Sequence, residues 1–190
     1  MIGGSSDANA KRRWMDWDPA RLGRDTTEVR QFAPDLEWVL TDEDGLFPYG
    51  GWSGALPLWP FDRAQPEGLV ELVQMPLQVL VIYSSAHPVV SPTIYPIDPE
   101  PQISEISDTI WHVAPGQSLC LFQSEGYWVP EASVRELLLK ACGWRIEYAL
   151  MHAGIVDRMS ERGIVTDASF DHLITRAAHC VRDGCSGGGE

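Results

Sequence analysis

Thiols and imidazoles are the side chains in this chain best suited to chemistry near neutral pH. Cysteines stand at 120, 142, 180 and 185, and no two form a Cys-x-x-Cys pair, so a zinc-ribbon pattern is absent. Cys120 lies in a short apolar run, Ser118 to Phe122, and His112 precedes it by eight positions. Cys142 falls inside an apolar helical pattern and reads as a small core residue. His172, His179, Cys180 and Cys185 cluster loosely near the end of the chain. Zinc could use two cysteines and two histidines. Their spacings match no zinc module, however, and Cys185 adjoins a glycine-rich tail, so neither metal nor cofactor is expected.

Composition narrows the setting. Hydrophobic residues make up 44% and charged residues 22% of the 190 positions, as in an ordinary soluble domain large enough to bury a core. Acidic residues outnumber basic ones by 27 to 14, for a formal charge of −13. Such a surface repels phosphates, so nucleic acid and anionic membranes are not expected as partners. No apolar run is long enough to span a bilayer, and the first residues lack the apolar core of a signal peptide. The expected location is the cytoplasm, with the cysteines as reduced thiols.

The elements that must position these residues change character along the chain. Residues 1–30 read as a polar arm, partly helical, carrying Lys11-Arg12-Arg13 and a short helix of poor periodicity from Arg21 to Phe32. Residues 31–185 read as the folded domain and 186–190 as a flexible tail. Strands are expected at Leu36 to Leu40, within Leu46 to Pro60, at Leu69 to Val73, at Leu77 to Tyr83 and at Gln102 to Ile106. His87-Pro88 reads as a loop. The proline-dense stretch from Pro88 to Pro101 is expected to run extended outside the sheet. A helix follows from Val134 to Met151, with a bend at Gly143 and an end at Gly154, and a second from Ala168 to Val181. Strands first and helices after give an α+β fold.

One stretch carries more specific information. It runs Tyr95-Pro96, Pro99 and Pro101, Trp111-His112, Leu119-Cys120-Leu121, then Trp128-Val129-Pro130 ahead of the long helix. This order resembles the ubiquitin-conjugating enzyme family, with its Tyr-Pro, paired prolines, His-Pro-Asn, Cys-Leu and Trp-x-Pro. Tyr95 stands 25 positions before Cys120 and Trp128 eight after it, at the family's spacing. The resemblance covers roughly Leu77 to Leu150. It implies an antiparallel β-meander followed by a long helix and a C-terminal helix. It also implies Cys120 as the nucleophile, with Tyr95, Pro96, Trp128 and Pro130 shaping the loops around it.

There are departures. The His-Pro-Asn motif is missing, and His112 stands where the family has its asparagine. The N-terminal helix with which family members meet the activating enzyme is not evident. These departures resemble the divergent bacterial branch, whose genes neighbour a ubiquitin-like protein, an activating enzyme and a deconjugating metallopeptidase in gene sets that act against phage. The implied partners are a ubiquitin-like protein, its activating enzyme and a target bearing an acceptor lysine.

The chemistry suits the residues. Thiol–thioester exchange is nearly balanced in energy and aminolysis is downhill, so a cysteine can accept and release an acyl group. The tetrahedral intermediate needs a donor to its oxyanion. A His112 ring can donate a hydrogen bond or take a proton, and it can equally brace the loop through the backbone. Glu125, Glu131 and Asp157 read as ordinary surface carboxylates. Two rival readings are a family fold without catalysis, serving as a binding module, and a Cys–His hydrolase. The latter would need a third group to orient the histidine.

Overall fold

Alternation of buried and open positions builds the sheet. The computed structural model describes residues 12–121, 128–160, 163–166 and 168–183. Four strands, β1 (Leu36–Val39), β2 (Gly51–Ala55), β3 (Gln78–Ile82) and β4 (Thr93–Asp98), form an antiparallel meander in the order β1-β2-β3-β4. Trp52 pairs with Trp38 on one side and Val81 on the other, and Val81 pairs with Ile94. Cross-strand partners share a face. Trp52, Val79, Val81 and Ile94 therefore turn inward together, each almost wholly buried.

β4 corrects the expectation for the proline-dense stretch, because Pro96 lies within the sheet. It is tolerated because β4 is the last strand. The carbonyl of Ile94 faces away from β3 and accepts the Leu119 amide at 2.8 Å. Pro96, two residues on, turns its nitrogen to that same outer side, where β3 needs no donor.

Two further expected strands are absent. Leu69–Leu72 is a helical turn, α3 in chain order, with Leu69 and Val73 buried and Val70 exposed. The apolar residues there repeat at three and four, not at two. Gln102 to Ile106 instead holds a 3-10 turn, Ile103–Glu105, in which the Glu105 carboxylate accepts from the Gln102 amide at 2.8 Å.

The N-terminal helices reach further into the core than a polar arm would. α1 (Trp14–Trp17) buries Trp14, whose indole donates to the Tyr49 carbonyl at 2.7 Å. α2 (Pro19–Phe32) starts from Asp18, whose side chain accepts from the Arg21 amide, with Pro19 at its first position. Its buried stripe is Arg21, Asp25 and Val29, at a spacing of four. Two of those three are charged, which is why apolar periodicity reads poorly there. The domain thus begins before residue 31, since Trp14 and Val29 belong to its core.

α4 (Val134–His152) is the central helix, capped by Ser133 and buried nearly all round. It runs unbroken through Gly143. A Cβ there would stand 3.0 Å from a methyl of Ile164 and 3.3 Å from one of Val165. The glycine is a place of close approach, not a bend. The helix ends before Gly154, as expected from sequence, with φ +67 at that residue. α5 (Asp171–Asp183) follows a 3-10 turn at Ala168–Phe170. Arg63 forks onto Asp171 at 2.9 and 3.0 Å, anchoring the start of α5. The sheet, α4 and α5 share one α+β core.

Gly143→Leu should lower stability by about 1–3 kcal/mol through overpacking, despite leucine's better helix propensity. Urea unfolding followed by tryptophan fluorescence measures it.

Candidate active site around Cys120

Cys120 sits on a short hairpin laid along the outer edge of β4. Val113 and Leu119 form a single antiparallel bridge, and both are buried. The Ala114 amide donates to Ser118 and the Gln117 amide to Ala114, each at 2.8 Å, which closes the turn. Gln117 takes φ +65 within it. With Leu119 turned inward, the two-residue period turns Cys120 outward, and it is half-exposed.

His112 and Cys120 meet through the backbone: the Cys120 amide donates to the His112 carbonyl at 2.8 Å. His112 is 9% exposed and holds φ +52, a left-handed conformation in which Asn, Asp and His are enriched. The hairpin is also tied inward. Val113 donates to the Ser107 carbonyl at 2.9 Å, and Trp144 of α4 donates from its indole to Trp111 at 2.8 Å. Lys140, also on α4, donates from Nζ to the Leu121 carbonyl at 3.1 Å. One helix therefore grips the hairpin on both of its strands.

Tyr95 and Pro96 lie on β4 beside Ile94, the residue that receives Leu119. Trp128 and Pro130 are placed through other partners. The Trp128 indole donates to the Pro88 carbonyl at 2.6 Å, and the Arg21 guanidinium donates to the carbonyls of Pro130 and, at 2.8 Å, Ala132. The same guanidinium lies 5.6 Å from the Trp128 ring centroid. Glu131 and Asp157 are exposed, and Glu125 lies outside the described residues. Cys142 is a core residue whose thiol is pushed far up by burial. His172, His179 and Cys180 lie along α5, and Cys185 falls outside the described residues.

Several residues that matter here carry no local signal in sequence. Asp25 is wholly buried; Arg21 Nε stands 2.7 Å from it, at ion-pair distance without hydrogen-bond alignment. His87 Nε2 stands at 3.1 Å, the Tyr83 hydroxyl at 3.3 Å and, more distantly, Arg24 Nε at 3.9 Å. His87 lies in a loop, yet its ring is buried among Trp14, Tyr83 and Trp128. Asp108 is exposed and acts on the site through charge.

Burial, first, and the Asp108 carboxylate, second, push the Cys120 thiol above its ordinary range. At neutral pH it rests as the thiol, and its rare thiolate is a strong nucleophile. Among the described residues no helix is long and apolar enough to cross a membrane. No family model, no curated protein and no solved structure matches the chain.

Alkylation of Cys120 by iodoacetamide should be slower at about pH 7 than that of an unhindered cysteine. It should still rise about tenfold per pH unit through about pH 9. Peptide mass spectrometry over a pH series reads the slope; a plateau below that pH would contradict a raised thiol pKa. Arg21→Met should cost about 3–5 kcal/mol in urea unfolding, because Asp25 loses its nearest guanidinium while still buried and keeps only Arg24, at 3.9 Å.

Proposed function

We propose that the chain is a carrier transferase of the ubiquitin-conjugating kind. Cys120 accepts a ubiquitin-like protein from an activating enzyme as a thioester, then passes it to a lysine amine of a protein target, in bacterial defence against phage. The observation that carries this reading is the joint placement of His112 and Cys120. They are tied backbone to backbone on a hairpin that follows a sequential four-stranded meander and precedes a long helix. That element order agrees with the ubiquitin-conjugating fold which the Tyr95, Cys120 and Trp128 spacing resembles. The fourteen-residue α2 ahead of the meander supplies a helix where family members meet the activating enzyme.

In the first step the Cys120 thiolate attacks the donor thioester and the donor's thiol leaves. In the second, a lysine amine attacks the new thioester and Cys120 leaves with its electron pair, to be reprotonated. A thiol of raised pKa is scarce as thiolate at neutral pH and a poorer leaving group, which slows charging and lengthens the life of its thioester. It suits a Cys–His hydrolase poorly, because such enzymes depend on a thiolate lowered by the adjacent imidazole. His112 has the place where the family carries asparagine, and its left-handed backbone is one that asparagine also tolerates. Its ring assists aminolysis by donating to the oxyanion.

The test mixes the chain with its activating enzyme, ubiquitin-like protein and ATP and runs a non-reducing gel. A reductant-sensitive adduct that Cys120→Ala removes is the expected result. His112→Ala should retain charging while slowing transfer to lysine about 10²–10³-fold, and His112→Asn should recover much of that rate. No adduct would favour a binding module instead, and acyl hydrolysis without the activating enzyme would favour a thiol hydrolase.

A further inference from the structure

The backbone of His112 is held on both sides. Peptide planes are rigid, so a residue's φ and ψ are set once the planes before and after it are fixed. Ahead of His112, the Trp111 carbonyl accepts from the Trp144 indole at 2.8 Å. After it, the His112 carbonyl accepts from the Cys120 amide at 2.8 Å, and the Val113 amide donates to the Ser107 carbonyl at 2.9 Å. Between these two planes His112 takes φ +52. Few residues other than glycine adopt that left-handed state, and it persists where the surroundings impose it. With φ and ψ set, the direction of the Cα–Cβ bond is set too, and with it the point from which the imidazole extends.

Trp144 is suited to this task. Its indole N–H is a donor only, so a carbonyl is the kind of partner it takes. The ring is 4% exposed and stacks on Tyr148 with centroids 4.7 Å apart. Tyr148 is tied in turn, through its hydroxyl, to Glu105 at 2.7 Å. The donor therefore has a fixed origin on the central helix, α4. We propose that Trp144 is a positioning residue for aminolysis, which directs the His112 ring toward the Cys120 thioester by holding the Trp111–His112 peptide; this rests on the carrier reading of Cys120. Buried as it is, Trp144 acts through His112 alone. Charging uses the thiol and not the imidazole, so it does not depend on this bond. Aminolysis does, because a misplacement of about 1 Å in a catalytic group can cost about a hundredfold in rate.

The full chain is loaded with the mercaptoethanesulfonate thioester of acetyl-glycyl-glycine, freed of excess reagent and given L-lysine. Intact-mass spectrometry follows the loading of Cys120 and then the loss of its thiol-labile adduct to the amine. Trp144→Phe keeps an aromatic ring against Tyr148 but lacks the N–H. It should load within about twofold of the natural chain and discharge to lysine about ten- to a hundredfold more slowly. In a His112→Ala chain, already slow, the same change should add less than about twofold, because its route through the ring is gone. A loss from loosened structure would multiply instead. Replacement of Trp144 by 3-benzothienylalanine, which puts sulfur where the indole has N–H, should match Trp144→Phe while keeping the ring's shape. Discharge at the natural rate in both Trp144 variants would overturn the inference. So would loading and discharge falling together, or equal losses with and without His112; in each case the carrier reading stands. Natural discharge in His112→Ala alone would remove the role of His112, and the inference with it. A folded chain whose Cys120 takes no acyl group at all would count against the carrier reading itself, and the inference would fall too.

Discussion

A carboxylate taken wholly out of water must be met by charge and by hydrogen bonds, and Asp25 is met from three directions. Arg21 comes from its own helix, Tyr83 from the end of β3, and His87 from the loop that leads to β4. Each of these partners has a second task. Arg21 also holds the carbonyls of Pro130 and Ala132, where the chain enters α4, and Tyr83 accepts from the Trp52 indole at the centre of the sheet. His87 packs beside Trp128. Breaking this cluster would strand a buried charge, so the helix, the sheet and the return of the chain to α4 are coupled through it.

The thiol is positioned by a different set of bonds. Its hairpin lies on β4 through Leu119 and on α4 through Trp144 and Lys140. The floor and the wall of the site are therefore the last strand of the sheet and the central helix. Elsewhere α4 spends buried acid on loops. Glu147 accepts from the amides of Ser160 and Ile164 at 2.6 and 2.9 Å, and burial pushes its pKa up even so. Burial first, and then the Glu105 carboxylate, which accepts from the Tyr148 hydroxyl at 2.7 Å, keep that phenol protonated.

What sequence could reveal followed from how local each signal was. β1, β3 and α4 announce themselves by apolar alternation or by helical spacing, and Cys120 by its distances to Tyr95 and Trp128. α2 was faint because a charge cluster, not an apolar stripe, buries it. Leu69 to Val73 carries β-branched residues, but its burial repeats on one helical turn. Pro96 argued against a strand only because its place at the sheet's edge cannot be read from residues in order. Asp108, Lys140, Arg21 and His87 come to the site or its frame through the fold, from stretches that look ordinary alone. Gly143 looked like a fault in a helix until the neighbouring segment, Ile164 and Val165, was placed against it.

Pro96 has a further consequence, for how the molecule behaves in company. An open sheet edge is a template on which another chain can add a strand. On β4 the Ile94 carbonyl is already taken by Leu119, and Pro96 offers no N–H at the next outward position. A stranger approaching that side finds a broken row of donors. Ile94, which seats the hairpin beneath Cys120, and Pro96 therefore guard the sheet against self-association, and a crowded solution would press on β1, the opposite edge, first.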